Sequence, residues 1–213
     1  MKYYISDTHW GHGENIIRFD NRPFNSSEEM NQALFYNWNK TVTNADNVYI
    51  LGDLIWSKDP DDWNRLLVKL KGKKHLILGN HDEEMLKIGK TSSILSLVEH
   101  NFELITNQLE VYDGSVEKYI IMSHYPILAY KKSYTPRYMM FHGHTHNNTM
   151  EQQMIYDTVK SIREGSINSY GNIFNVGCMM PYMNFTPRTA KHIYDRGKNY
   201  YKDEANLSWR PEE

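Results

Sequence analysis

Five short apolar runs, each followed by residues that can bind a metal, constrain the fold of this 213-residue chain more than any other feature. Apolar runs bounded by turn residues are typical of buried β-strands, and the carboxyl ends of such strands border the crevice in which α/β proteins bind ligands. The side chains that follow the runs are Asp7 and His9, Asp53, Asn80 and His81, His124, and His144 and His146. Carboxylate, amide and imidazole groups are metal ligands, so the pattern predicts a metal site.

The order of the predicted elements indicates two sheets. Strands predicted at 2–6, 48–51 and 74–78 alternate with helices at about 26–41, 60–71 and 82–98. From about residue 102 the pattern changes to hairpins, with strands at 108–112 and 117–122 around Asp113-Gly114, and further strands at 138–142, 172–177 and 190–195. An Asp-Gly pair between apolar runs is a strong hairpin signal. This order predicts an α/β fold, a four-layer α/β/β/α sandwich of two mixed sheets.

The domain organisation is most simply a single domain over residues 1–213. This length suffices to bury one sizeable core, and the sequence contains no internal repeat, low-complexity run or linker. Residues 147–170 are polar with a weak helical pattern, and we interpret them as an insertion near the site. Residues 197–213 are interpreted as a charged tail that frays.

Composition limits the compartment and the partners. The net charge of −2 provides no global basic field for nucleic acid or anionic lipid. The single cysteine, Cys178, excludes an intramolecular disulfide and a thiolate zinc cluster, and its apolar neighbours predict a buried, unreactive side chain. No apolar run approaches the roughly twenty residues of a membrane span, and no signal-peptide pattern precedes the first strand. We expect a soluble, cytoplasmic protein without a membrane partner.

Five sequence blocks carry a family resemblance. They are Asp7-x-His9, Gly52-Asp53, Gly79-Asn80-His81-Asp82, His124 and Gly143-His144-x-His146, and they span residues 7–146. Their order and spacing resemble those of the calcineurin-like metallophosphoesterase superfamily. Each block is unspecific alone, but the five together are specific. The stretch Asp7-x-His9-x-x-His12, followed by Asn15-Ile16-Ile17, is similar to small bacterial and phage phosphoesterases of this superfamily.

The resemblance implies a site for two divalent metal ions. The first ion would be bound by Asp7, His9, Asp53 and His146, and the second by Asp53 as a bridging ligand, Asn80, His124 and His144. Two such ions can hold a bridging hydroxide and neutralise the phosphoryl oxygens of an ester. Imidazole and carboxylate ligands without thiolates suit Mn²⁺, which we predict, with Fe, Zn, Ni or Co as alternatives.

The resemblance also implies that His81 is catalytic. It would act at the leaving group as general acid or transition-state donor, without binding metal, and Asp82 is a candidate to orient it. His12 lies three residues after His9 on a glycine-flanked loop, and we predict that it contacts the substrate phosphate. Arg18 and Arg22 are further candidates for this contact, and the alternative for both is a solvated surface position.

The predicted function is hydrolysis of a small phosphate ester or nucleotide, by a phosphodiesterase or nucleotide phosphatase. Protein Ser/Thr phosphatases carry an arginine after the second block, whereas this chain continues as Leu54-Ile55-Trp56, which argues against phosphoprotein substrates. Trp56 either stacks on a base or caps the core. A nuclease is one alternative, which the near-neutral charge disfavours. A non-catalytic binding scaffold is another, which the intact His81 and ligands disfavour. The native substrate and the oligomeric state stay open.

Overall fold

The structure is a computed structural model and describes residues 1–86, 94–147, 149–165 and 172–200. Within these ranges the strands are β1 (Lys2–Ile5), β2 (Asn47–Ile50), β3 (Lys73–Ile77), β4 (Leu104–Thr106), β5 (Gln108–Asp113), β6 (Lys118–Ser123), β7 (Tyr138–His142) and β8 (Ile173–Asn175). The helices are α1 (Glu14–Asp20), α2 (Ser27–Thr41), α3 (Pro60–Leu67), α4 (Asn80–Met85), α5 (Ile94–Val98), α6 (Met150–Gly165) and α7 (Ala190–Tyr200), with a short 3-10 helix at Glu99–Asn101. None of these helices is long and apolar enough to cross a membrane.

The first sheet contains β1 to β4 in that order, and all of its strand pairs are parallel. Ile5, Ile50 and Leu76 lie side by side across β1, β2 and β3, and all three are fully buried. The three strands predicted here are confirmed, and an antiparallel bridge between Tyr4 and Arg188 adjoins β1. Sequence prediction misses β4 because its three residues are partly exposed and form no apolar run.

The second sheet contains β5 to β8, and it is mixed as predicted. β5 and β6 are antiparallel and form the hairpin expected around Asp113-Gly114, whereas β6, β7 and β8 are parallel neighbours. Parallel neighbours need a crossover connection, and α6 lies in the connection between β7 and β8. The region 147–170, which we interpret from sequence as an insertion, therefore contains the crossover helix of this sheet. Residues 148 and 166–170 lie outside the described residues.

The two sheets pack against each other through a shared apolar core. Tyr4 on β1 meets Phe141 on β7 edge to face, with ring centroids 5.0 Å apart. The Tyr4 hydroxyl donates a 2.7 Å hydrogen bond to the buried Asp113 carboxylate at the end of β5. On α2, Met30, Leu34 and Trp38 lie on one helix face and join the same core, as their spacing predicts. These contacts confirm the α/β class and the packing of two sheets with helices.

The carboxyl-terminal part of the chain differs from prediction. The strand predicted at 190–195 is wrong, because these residues begin α7. Its buried residues Ala190, Ile193 and Gly197 recur every three or four positions, which is the period of a helix. The predicted charged tail begins inside this helix, and residues 201–213 lie outside the described residues. The single domain over 1–213 stays a prediction.

The helix predicted over 82–98 is divided. α4 ends at Met85 and α5 begins at Ile94, and residues 87–93 between them lie outside the described residues. α4 begins directly after β3, so its first turn carries the Asn80-His81-Asp82 block to the edge of the sheet. This short helix, rather than a long one, places that block.

Candidate metal centre

All seven predicted metal ligands lie at the carboxyl-terminal edge of the two sheets. Each follows a strand within a few residues, because the chain leaves β1, β2, β3, β6 and β7 at the same edge. The ligands are Asp7 and His9 after β1, Asp53 after β2, Asn80 after β3, His124 after β6, and His144 and His146 after β7. The strand-end pattern in the sequence thus corresponds to one spatial cluster.

The first group of potential ligands consists of Asp7, His9 and His146. All three are buried, and one ligand atom from each lies within 4.8 Å of the others. His146 Nε2 is 3.8 Å from Asp7 Oδ1. His9 Nε2 is buried and has no hydrogen-bond partner among the described residues. A buried imidazole nitrogen without a partner costs free energy unless something binds it, and a cation between these atoms would.

The second group lies beside the first and shares ligands with it. Asp53 Oδ2 is 3.8 Å from His9 Nε2 and 3.5 Å from His124 Nε2, so this carboxylate lies between the two groups. Asp7, Asp53 and His124 also place ligand atoms within 4.8 Å of one another. Asn80 Oδ1 is 3.0 Å from His124 Nε2 and 3.1 Å from His144 Nδ1, which brings the amide and the other two imidazoles together.

The backbone at these ligands is in an uncommon conformation. Five of the seven have a positive φ: Asp7 (54°), His9 (52°), Asp53 (53°), His144 (67°) and His146 (49°). A non-glycine residue with such a positive φ destabilises the folded state by on the order of 1–3 kcal/mol, and such residues cluster at functional sites. The surrounding hydrogen bonds must therefore hold the ligand loops in place.

Two glycines allow the ligand loops to approach one another. A Cβ at Gly143 would overlap Ser6 Oγ and Asp7 Oδ2, and a Cβ at Gly79 would overlap Asp53 Oδ1. Ser6 Oγ itself donates to Asp7 Oδ2 at 2.6 Å and fixes this carboxylate. These two glycines of the sequence blocks are thus required by packing around the carboxylates, rather than by turn geometry alone.

The imidazoles of the centre have different pKa values because their surroundings differ. Burial lowers the pKa of His9 well below its usual value, and the charges of His146 and Arg22 lower it further. At His124, burial also lowers the pKa, but the hydrogen bond to Asp53 and the charges of Asp7 and Asp53 raise it to about 9. Metal ligands must be deprotonated, and the lowered pKa of His9 favours the neutral form that can bind a cation.

The donor set fits divalent transition-metal ions. It combines carboxylate, amide and imidazole groups without thiolates, and five of the seven residues are buried, whereas Asn80 and His144 are partly exposed. The unpartnered His9 Nε2 agrees with a bound cation.

Comparison with known proteins identifies the family. A sequence model of the calcineurin-like phosphoesterases matches residues 3–162, which include all five blocks. The chain belongs to the calcineurin-like phosphoesterase family. The predicted superfamily is thereby confirmed. The family and the clustered Asp and His side chains support the prediction of a metal-dependent phosphoesterase.

Two relatives of this phosphoesterase have no known function. The uncharacterized protein MJ1445 of Methanocaldococcus jannaschii is 43% identical over 124 residues, which cover 58% of this chain and 68% of that protein. The crystal structure of a protein of unknown function, AQ665 from Aquifex aeolicus, is 25% identical with a TM-score of 0.60, and the match covers 92% of this chain and 98% of that one. The substrate must therefore be argued from the site itself.

A buried carboxylate that sequence analysis misses supports His146 in the phosphoesterase. Asp20 Oδ1 accepts a 2.8 Å hydrogen bond from His146 Nδ1, which turns Nε2 of the same ring toward Asp7. Carboxylates that bind the second nitrogen of a ligand histidine fix its tautomer and orientation. The sequence does contain a signal, because Asp20 lies on the same face of α1 as the buried Ile16 and Ile17. A carboxylate on a buried helix face needs a partner.

The prediction that Arg22 contacts substrate is wrong. Its side chain has no exposed surface, and its guanidinium pairs with Asp20 Oδ2 through Nε at 2.8 Å and Nη2 at 2.7 Å. It also donates to the backbone carbonyls of Asp7 and Thr8, at 2.9 and 3.2 Å. Arg22 therefore binds Asp20 and the backbone of the first ligand loop, and it does not line the cavity.

Replacing Arg22 with alanine is expected to lower the free energy of unfolding by about 3–5 kcal/mol, because the Asp20 carboxylate would stay buried without its cation. Urea unfolding of the metal-free protein measures this change. Arg18, exposed on α1, provides the matched control, and Arg18→Ala should alter stability by about 0.5 kcal/mol or less. An Arg22→Ala protein as stable as the wild type would contradict this role.

A second buried network supports the loop after β7. Asn175 Nδ2 donates to Thr145 Oγ1 at 3.2 Å, to His146 O at 2.9 Å and to Gln152 Oε1 at 3.0 Å. The amide thus connects β8, the ligand loop and α6. Asn175 ends an apolar strand just as the ligands do, so the strand-end pattern could have identified it.

Asp82 supports the ligand loops rather than the ring of His81. Its carboxylate is buried and accepts hydrogen bonds from the backbone N–H groups of Asp53 (2.7 Å), Leu54 (2.9 Å) and Gly79 (2.9 Å). The interpretation that Asp82 orients His81 is therefore not supported. Instead, Asp82 joins the loop after β2 to the loop after β3, and this fixes the position of Asp53.

The remaining candidates differ in their position relative to the cavity beside the metal centre. His81 lines this cavity, its Nε2 is 4.0 Å from Asp53 Oδ2, and its backbone N–H donates to Asp53 Oδ1 at 3.0 Å. His12 also lines it and packs on Trp56, with ring centroids 4.0 Å apart. Arg18 is exposed on α1 and is not among the lining residues. The described structure therefore brings His12, but not Arg18, to the site.

Proposed function

We propose that this phosphoesterase hydrolyses phosphate esters with two divalent ions, as a phosphodiesterase or a nucleotide phosphatase. The observation that carries the proposal is the position of Asp53, whose Oδ2 lies between His9 Nε2 (3.8 Å) and His124 Nε2 (3.5 Å). One carboxylate between two groups of imidazoles is the arrangement that a pair of closely spaced cations requires, because a shared negative charge reduces their repulsion.

The proposed ligand assignment follows the two groups. Asp7, His9, Asp53 and His146 would hold one ion, and Asp53, Asn80, His124 and His144 the other. When bound, such a pair supplies a strong nucleophile at neutral pH and neutralises the phosphoryl oxygens. We propose Mn²⁺ as the metal, with Fe, Zn, Ni or Co as alternatives that the same ligands accept.

His81 is proposed to donate a proton to the leaving oxygen. Its side chain is 32% exposed, and its ring packs on Trp56 with centroids 4.4 Å apart, so the ring is held but still reaches the cavity. His81 Nδ1 is buried, which leaves Nε2 as the atom that faces the substrate. His12, which also packs on Trp56, is proposed to contact a phosphoryl oxygen. A small phosphate ester or nucleotide as partner, and a cytoplasmic location, stay predictions.

The test compares two nitrophenyl esters. Metal-stripped protein resupplied with Mn²⁺ should hydrolyse bis-p-nitrophenyl phosphate, and protein kept with a chelator should not. A higher kcat/KM for this diester than for p-nitrophenyl phosphate would favour a phosphodiesterase, and the reverse a nucleotide phosphatase. Absence of hydrolysis with Mn²⁺, Fe, Zn, Ni and Co, in protein that binds two ions, would overturn the proposal in favour of a scaffold.

A further inference from the structure

The cavity at the metal centre has room for more than a phosphate group. Its volume is about 420 Å³, within the range of small-molecule sites. An organic group attached to the phosphate therefore fits inside the site.

An exposed aromatic side chain forms one wall of this cavity. Phe19 on α1 lines it and is 63% exposed, although the neighbouring Ile16 and Ile17 are buried. Its ring stands nearly perpendicular to that of His146, with centroids 5.2 Å apart, and so adjoins the metal centre. Asn15, four residues earlier on the same helix face, also lines the cavity and is exposed. An apolar ring and an amide are thus presented together at the rim.

The charges around the cavity restrict the substrate. Among the described residues that line it, none is a lysine or an arginine. The carboxylates there are Asp53, a proposed ligand, and Glu151, which is exposed and has Oε2 4.0 Å from His144 Nε2. Sites that bind several phosphates offer lysine or arginine side chains to them. Among the described lining residues, a second phosphate would find the carboxylate of Glu151 and no cationic side chain, so this part of the rim favours an uncharged group.

We infer that the site selects esters with one phosphate group and a flat, uncharged ring of the nucleobase type, and that Phe19 and Asn15 determine this specificity. Phe19 stacks on the ring, and the Asn15 amide, which can both donate and accept, binds its polar edge. The inference rests on the proposed function and narrows it to nucleoside monophosphates and cyclic nucleotides rather than di- and triphosphates.

The test is a comparison of ligands on Mn²⁺-loaded protein. Binding of AMP, ADP and glycerol phosphate is measured by calorimetry, and kcat/KM is measured for each that is hydrolysed. AMP should bind more tightly than glycerol phosphate, which lacks a ring, and more tightly than ADP, which has a second phosphate. Phe19→Ala should weaken the binding of AMP about 5- to 150-fold, the range for loss of one base–aromatic stack. The affinity for glycerol phosphate should change by less than about twofold.

Matched variants make the outcome decisive. Phe19→Tyr should retain the preference for AMP. Phe35→Ala, at an exposed phenylalanine on α2 away from the cavity, should change the binding of neither AMP nor glycerol phosphate. An equal loss for AMP and glycerol phosphate in Phe19→Ala, or a preference for ADP, would overturn the inference. Tight AMP binding that depends on Phe19 without hydrolysis of any ester would overturn the proposed function and leave this inference standing.

Discussion

Replacing Asp53 with alanine is expected to abolish metal-dependent hydrolysis, with kcat/KM at least about 10³-fold lower, or about 4 kcal/mol in the barrier. Asp53 is buried, its Oδ2 lies between His9 and His124, and its Oδ1 accepts from the His81 backbone. A single substitution would therefore remove the negative charge that both ligand groups share. Without the Asp53 carboxylate, no negative charge would offset the repulsion between two neighbouring cations.

Metal content separates this expectation from a general loss of structure. Elemental analysis after gel filtration should find two ions per wild-type chain and at most one per Asp53→Ala chain. Circular dichroism should find the variant folded, because the two sheets do not depend on this side chain. Asp61→Ala, at an exposed aspartate in the first turn of α3, is the matched control and should keep both ions and full activity. Two ions retained by Asp53→Ala would show that Asp53 does not bridge them.

The metal ligands could be predicted from sequence because each is local to a strand end. Asp7, Asp53 and His124 closely follow apolar runs that can be recognised in the sequence. Parallel pairing aligns the strand ends within each sheet, and the packing of the two sheets brings the two sets of ends together. β4 is short and partly exposed, so its sequence gives no such signal, and it is recognised only by its parallel pairing with β3. The strand prediction at 190–195 is wrong for a related reason. A short apolar pattern does not distinguish the period of a strand, two residues, from that of a helix, about 3.6 residues.

The supporting side chains could not be assigned from residue type alone. Arg22 and Arg18 lie four residues apart, and both were reasonable phosphate ligands, but the chain turns Arg22 under the ligand loop and Arg18 into solvent. Asp82 adjoins His81 in sequence, yet its carboxylate binds the backbone of the neighbouring loop. Which way a charged side chain points depends on contacts between distant segments, and sequence spacing carries little information about those.

Replacing His81 with alanine is expected to lower kcat by about 10²–10⁴-fold, the usual contribution of a general acid, while both ions stay bound. His81 Nε2 is 4.0 Å from Asp53 Oδ2, and the ring packs on Trp56 with centroids 4.4 Å apart and meets the His9 ring edge to face at 5.6 Å. Elemental analysis of the variant tests the second part directly. His100→Ala, at an exposed histidine outside the site, is the control and should be fully active. Loss of an ion from His81→Ala would make His81 a ligand instead.

The leaving group reveals which step His81 assists. p-Nitrophenolate departs readily without a proton, whereas the alkoxide of a ribose or glycerol ester needs one, so a general acid matters most for the alkyl esters. If His81 Nε2 protonates the leaving oxygen, the loss in His81→Ala should be much smaller for p-nitrophenyl esters than for alkyl esters. An equal loss for both classes would mean that the imidazole stabilises the phosphoryl oxygens, because that charge develops whichever group departs.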